Sequence, residues 1–165
     1  MSCIIQVVGK KDVGKTSVIE RAIPIIKSMG YTVGVIKHSH HELDLQGKDT
    51  YRFWNAGADI VSFLDSKCTL FFKANVKELV NLLPVDVVII EGYKELNLTD
   101  KRIEVSNVEE DVKRLISLVK ECNKIDGIKL ISNSGELDLK DMRVRLLYNL
   151  LNTLNIREVK IASIS

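Results

Sequence analysis

Eight consecutive residues near the amino terminus carry the strongest chemical signal in this chain. Gly9-Lys10-Lys11-Asp12-Val13-Gly14-Lys15-Thr16 fits the pattern G-x-x-x-x-G-K-[ST]. The glycines permit positive φ and let backbone N–H groups close around phosphate oxygens. In that pattern Lys15 reaches the β- and γ-phosphates of a nucleotide, and the Thr16 hydroxyl is a magnesium ligand. The context agrees, because an apolar strand candidate (Cys3 to Val8) precedes the loop and a helical pattern follows it. That helix would aim its partial positive charge at the phosphates, and Ser17 joins the nucleotide-binding set in its first turn. The reading is a nucleoside triphosphate site.

Such a site needs an acidic group on a neighbouring strand to hold the metal or its water. Asp86-Val87-Val88-Ile89-Ile90 is the clearest buried strand, near-continuously apolar as central parallel strands are, and Glu91-Gly92 closes it. Ligands of open α/β sheets bind outside the carboxyl ends of the strands, which puts Glu91 on the magnesium side. Asp86, at the other end, reads as a solvated strand start.

All three histidines fall in Lys37-His38-Ser39-His40-His41, and Glu42, Asp44 and Asp49 follow. One reading is a transition-metal site, since imidazole suits zinc and carboxylate suits magnesium. Another is a polar patch in which Lys37, His38 and His41 contact an anionic substrate while Asp44 sits near magnesium. A solvent-facing loop without chemistry is the third, and spacing alone does not choose among them. Asn123-Lys124-Ile125-Asp126 spells the guanine-reading N-K-x-D, but it follows a helix rather than a strand, so it reads as a polar helix exit. Asn133 stands at the end of the next strand, where a base reader belongs. Guanine is therefore only mildly favoured over adenine by spacing.

The elements that must position these residues alternate strand and helix. Cys3 to Val8 is followed by a helix from Gly14 to Met29 with Pro24 inside it, where a kink or an early end is expected. Thr32 to Lys37 is a second strand, and a short helix lies near Lys48 to Asn55. Asp59 to Leu64 and Lys67 to Phe72 form a hairpin turning at Asp65-Ser66, apolar on both faces and so requiring a cover such as a second subunit. Asn75 could cap a short helix. Helices at about 109–122 and 138–154 flank a strand at Ile128 to Ser132. The later helix repeats Met142, Leu146, Leu147, Leu150, Leu151 and Leu154 on one stripe, leaving Arg143 and Arg145 as a solvated face. Val159 to Ile164 reads as an edge strand. This is an α/β three-layer fold with a mostly parallel sheet and a β-hairpin extension, organised as one domain over residues 1–165.

Composition bounds the rest. At 165 residues the chain is the length of one domain, and 45% apolar with 28% charged residues excludes wholesale disorder. A net charge of +2 argues against a dedicated nucleic-acid binder. No apolar run approaches the ~20 residues of a membrane span, and no signal peptide is read at the start, so a cytoplasmic location is expected. Cys3, Cys68 and Cys122 lack C-x-x-C spacing and read as small core hydrophobes in a reducing compartment.

Taken together, Gly9–Thr16, Lys37-His38-x-His40-His41, Gly47-Lys48-Asp49-Thr50-x-Arg52, Ala56-Gly57-Ala58 and Glu91-Gly92-Tyr93-Lys94 resemble the molybdopterin-guanine dinucleotide biosynthesis protein B family. The resemblance is firm over roughly residues 1–95. It implies a GTP-binding, weakly GTP-hydrolysing homodimer that assists the guanylyltransferase joining GMP to molybdopterin. Carried over, Lys15, Thr16 and Glu91 take the phosphate, magnesium and metal-side roles. His38, His40, His41, Asp44, Asp49 and Arg52 match the family's polar segment, with metal or substrate contact (molybdopterin included) left open. The loop interior Lys10-Lys11-Asp12-Val13 departs from the small residues of many relatives. Lys10 stands where relatives that dimerise across the nucleotide place a second phosphate lysine, against the plainer reading of a solvated side chain. Hydrolysis would need a water held by Glu91, Asp44 or a histidine, and turnover should be slow unless Arg52 or a partner supplies an arginine finger. A small-molecule kinase and a metal-carrying GTPase are the alternatives.

Overall fold

The computed structural model describes residues 2–38, 48–64, 66–123, 130–132, 135–139 and 141–157. The chain divides into two compact units, one formed by Met1–His38 with Lys77–Ser165 and the other by Ser39–Val76.

The first unit is built on four parallel strands. The β-branched run CIIQVV forms β1 (Cys3–Val8), and VVIIE forms β5 (Val87–Glu91), buried along its whole length. β2 (Val33–Lys37) and β6 (Arg102–Glu104) complete the sheet in the order β2-β5-β1-β6. Three strands fall where the apolar runs place them; β6, only three residues long, has no periodicity to announce it. α1 (Lys15–Ser28) and α4 (Val108–Lys120) cover one face. There Val18, Ile19, Ala22 and Ile26 of α1, at helical spacing, pack with Leu115 and Val119 of α4 on Ile5, Val7, Val87 and Ile89. α1 continues past Pro24 to Ser28, so no early end occurs. Asn107 caps α4, its side chain accepting from the amides of Glu109 and Glu110.

α3 (Val76–Leu82) follows Asn75 directly. The strand expected over 128–132 is present as β7 (Leu130–Ser132). It pairs antiparallel with β8 (Gly135–Leu137) in a separate two-stranded sheet rather than extending the parallel one. Lys124 to Asp126, Asn133 and the strand expected over 159–164 lie outside the described residues.

The last helix reverses the expectation. α5 (Met142–Thr153) buries Arg145 and Asn149, four residues apart on one face. Met142, Leu146, Leu147, Leu150 and Leu154 are exposed. Arg145 Nη2 lies 2.6 Å from Asp86 Oδ1, and its Nη1 donates to Thr32 Oγ1 at 3.3 Å. Asn149 Nδ2 donates to the Leu83 carbonyl at 2.9 Å. Asp86 is therefore no solvated strand start: its Oδ2 also accepts from the Thr32 amide and hydroxyl, each at 2.7 Å. A paired, hydrogen-bonded arginine can be buried, and this latch outweighs the apolar stripe in orienting the helix.

The cysteine reading is also corrected. Cys3, opening β1, and Cys122, just beyond α4, form a disulfide across 119 residues with their Cα atoms 5.7 Å apart. Cys68 is free and exposed. Only the packing of α4 on β1 brings the pair together, so no short spacing could reveal it. In the chain-entropy account, closing so long a loop stabilises the fold by about 4–5 kcal/mol.

In the second unit, α2 (Asp49–Asn55) precedes the antiparallel hairpin of β3 (Ile60–Leu64) and β4 (Cys68–Phe72). The register pairs Ile60 with Phe72 and Ser62 with Leu70, so Ile60, Leu64, Leu70 and Phe72 share a face. All four are exposed, whereas Val61 on the opposite face is buried. The cover expected for that first face is not supplied by the described residues.

Two measurements check this architecture. Burial pushes the Asp86 carboxyl up, but Arg145 and the Thr32 donors outweigh it and hold the group below its ordinary 3.8. The latch should then contribute fully above pH ~4 and be lost as pH falls through the lowered folded value. Asp86→Asn should cost about 3 kcal/mol at pH 7 in urea titration and remove that acid-side loss. Thiol titration of the unreduced native chain should count one group, Cys68, and three after reduction and unfolding.

Candidate functional site

The parallel register assembles the site within the first unit. β1 beside β5 places Val7 opposite Glu91, and β2 beside β5 places Lys37 opposite the same residue. Three strand ends thus deliver the Gly9–Thr16 loop, Glu91 and Lys37 to one carboxyl edge. Gly14 takes φ 99°, where a Cβ would stand 2.7 Å from Val108 Cγ2, so glycine is required as the chain enters α1. Asp12, at φ 61°, makes the second left-handed bend. Val13 turns inward against the core while Lys10 and Lys11 are exposed. Neither a side-chain cap nor an acidic residue occupies the first turn of α1, so its amides face the loop without a competing carboxylate.

Lys15 and Thr16 open α1. Lys15 Nζ folds along the loop and donates to the carbonyls of Gly9 at 3.3 Å and Lys10 at 2.6 Å. The Thr16 hydroxyl lies 3.2 Å from both carboxylate oxygens of Glu91. Glu91 is buried, and Lys37 Nζ approaches its Oε1 at 3.8 Å. A hydroxyl and a carboxylate held face to face are hard oxygen donors, the set magnesium prefers when phosphate and water complete its shell. The residues present therefore fit magnesium bound with a nucleotide. Among the described residues no group of three or more His, Cys, Asp or Glu side chains is placed to hold a metal by itself.

Beyond Glu91 the backbone turns sharply. Gly92 takes φ 104°, with a Cβ position 3.1 Å from that of His38, and Tyr93 takes φ 53°, unusual for an aromatic residue. The turn lays the Tyr93 ring on His38, centroids 4.0 Å apart at 27°. The His38 amide donates to the Glu91 carbonyl at 2.9 Å, extending the β2–β5 ladder. Of the sequence-predicted set, the structure unites Lys15, Thr16, Glu91, Lys37 and His38. Asp49 and Arg52 lie in the second unit on α2 and pair with each other at 3.5 Å. His40, His41, Asp44 and Asn133 lie outside the described residues.

Two residues escaped sequence reasoning as members of this site. Tyr93 stands in the sequence only as part of the motif Glu91-Gly92-Tyr93-Lys94, without a role of its own. Gln6 does carry one, as the lone polar residue in the apolar run CIIQVV, and its side chain is fully buried.

A family model described as molybdopterin guanine dinucleotide synthesis protein B matches residues 4–133. This chain belongs to that family. The match takes in the loop, Glu91, the whole second unit and part of the first, and it ends before α5. A Methanocaldococcus jannaschii protein, provisionally named a molybdopterin-guanine dinucleotide biosynthesis adapter, is 43% identical over 100 residues, covering 56% of this chain and 41% of that protein. A Bacillus subtilis protein with the same provisional name is 34% identical over 102 residues, 56% of this chain and 59% of its own length. The matched part of the chain thus spans about half the length of these curated relatives. A crystal structure of a MobB homologue from Bacillus stearothermophilus is 22% identical with a TM-score of 0.45, covering 93% of this chain and 99% of that one. Among the described residues no helix is long and apolar enough to cross a membrane.

At φ 104°, Gly92 holds a backbone conformation that a residue with a Cβ rarely adopts. Gly92→Ala should destabilise the fold by about 1–2 kcal/mol in urea titration, because left-handed φ is unfavourable for any L-residue with a Cβ.

Proposed function

We propose that this chain is a GTP-binding adapter in molybdenum cofactor biosynthesis, hydrolysing GTP slowly and assisting the guanylyltransferase that joins GMP to molybdopterin. The observation that carries the nucleotide part is the Thr16–Glu91 contact across β1 and β5, with Lys15 folded along the same loop. The adapter part rests on family membership and on the names of the relatives.

In this reading the loop amides and Lys15 bind the β- and γ-phosphates, Lys15 exchanging its two carbonyl contacts for phosphate oxygens. Thr16 and Glu91 would hold magnesium, which neutralises charge developing on the phosphates. Glu91 also orients the attacking water, with the Lys37 ammonium 3.8 Å from its Oε1. No arginine among the described residues of the first unit contacts the loop, so charge stabilisation rests on Lys15 and the metal and turnover is slow. Slow turnover suits a protein that delivers or positions rather than transforms. His38, at the same strand edge, would contact an anionic substrate, molybdopterin in this pathway. Lys10 and Lys11 stay solvated at the loop tip. The exposed face of Ile60, Leu64, Leu70 and Phe72 suits a second copy of the chain, giving a cytoplasmic homodimer.

Calorimetry with magnesium should show clear preference for GTP over ATP, with turnover in the same sample on the order of 10⁻³ s⁻¹ or slower, the regime of a GTPase without an arginine finger. Lys15→Ala should abolish binding and leave the far-UV circular dichroism unchanged. ATP preference, or rapid turnover once a small acceptor is added, would instead identify a kinase.

A further inference from the structure

We infer that Gln6 is a positioning residue, whose carboxamide fixes the turn after Glu91 and, through Tyr93, sets His38 beside the Lys37–Glu91 pair. Gln6 sits in the middle of β1, opposite Ile90 of β5, and is wholly inaccessible to solvent. Its Nε2 donates to the carbonyls of Gly92 at 3.1 Å, Tyr93 at 2.9 Å and Leu96 at 3.0 Å. Three carbonyl oxygens around one side-chain atom define that atom as the amide nitrogen. Its Oε1 faces the Leu98 amide at 3.5 Å. One buried side chain therefore gathers four backbone groups from the 92–98 segment.

The position of this hub separates two jobs. The strand itself is carried into the turn by backbone, since the Gly92 amide donates to the Val7 carbonyl at 3.0 Å. Nothing in that ladder dictates the left-handed conformation of Tyr93. The Gln6 amide does, by fixing the Gly92 and Tyr93 carbonyls, one on each side of the Tyr93 Cα. Arg102 supports the outer part of the same segment from β6, its Nη2 donating to the Lys94 carbonyl at 2.9 Å. Released from Gln6, Tyr93 would relax toward negative φ and carry its ring off His38. His38 is bonded through its amide to the Glu91 carbonyl, so its displacement would loosen the end of β2 that presents Lys37 to the carboxylate. The Gly9–Thr16 loop is held against the core by Val13 and meets this network through the Thr16 hydroxyl on the Glu91 carboxylate.

The test rests in part on the nucleotide reading above and is arranged to fail separately from it. In Gln6→Met, which keeps the side-chain length and removes the donors, the imidazole resonances of His38 should lose the ring-current shift caused by Tyr93. Tyr93→Leu identifies that resonance among the three histidines. GTP affinity without metal should stay within about twofold of wild type, as the loop is untouched, while the gain on adding magnesium should shrink at least about fivefold. Val119→Ala, a core truncation under α4, supplies the control: matched thermal destabilisation with neither change. An unshifted His38 in Gln6→Met overturns the inference. So does a lost shift with an intact magnesium response, since the turn would then be structural only. Should wild type show no magnesium-dependent GTP binding, the nucleotide reading fails and the His38 comparison still decides the role of Gln6. Should Gln6→Met not fold, the wild-type Gln6 carboxamide protons decide the matter: slow solvent exchange supports the hub and fast exchange overturns it.

Discussion

Register is the constraint on which the site depends. With β1 and β2 both parallel to β5, Val7 and Lys37 come level with Glu91 from either side. A slip of one residue along β5 would turn Glu91 to the other face and leave Thr16 without its carboxylate. The register is secured by burial: every residue of β5 is enclosed, and Val87 and Ile89 lock into the layer formed by α1 and α4. The chemical edge is thus a consequence of how apolar residues stack some distance below it.

Polar residues then settle what the apolar ones leave undetermined. Gln6 and the Asp86–Arg145 pair do comparable work at separate places in the first unit. Each is largely enclosed and hydrogen-bonded, and each fixes a segment that hydrophobic packing would have placed differently or not at all. Gln6 ties down a turn of unfavourable φ next to Glu91. Arg145 draws α5 onto the strand β5 polar face first, so that its leucines are displayed instead of enclosed. Asp111 does the same on a smaller scale, its carboxylate accepting from the Ser106 and Asn107 amides and from Arg114 to join α4 to the strand before it. Unpaired, any of these groups would carry a desolvation penalty; paired, they specify one arrangement.

The two units divide the labour suggested by the motifs. The first holds the loop, Glu91, Lys37 and His38, and is tied internally by the Cys3–Cys122 disulfide. The second carries a short helix and a hairpin whose exposed apolar face is unusual for two strands with no third beside them. Residues that the family pattern joins in one polar segment are therefore distributed between a rigid sheet edge and a separate unit.

The sequence by itself determined whatever is local or periodic. Strands β1, β2 and β5, helices α1 and α4, the hairpin and the phosphate-loop pattern follow from short apolar runs, helical spacing and glycine placement, and Glu91 follows from its position at a strand end. The family was legible too, because its motifs are short and ordered along the chain. Only the tertiary structure decided matters that join distant positions. The partner of Cys3 lies 119 residues away, the three acceptors of Gln6 more than eighty, and the carboxylate that turns α5 around nearly sixty. A stripe of leucines predicts burial only when the opposite face has nothing stronger to bury, and Arg145 and Asn149 had such partners. Patterns in sequence record the preference of each residue for water or its absence. Which buried polar group finds its partner depends on distances that exist only once the sheet is assembled.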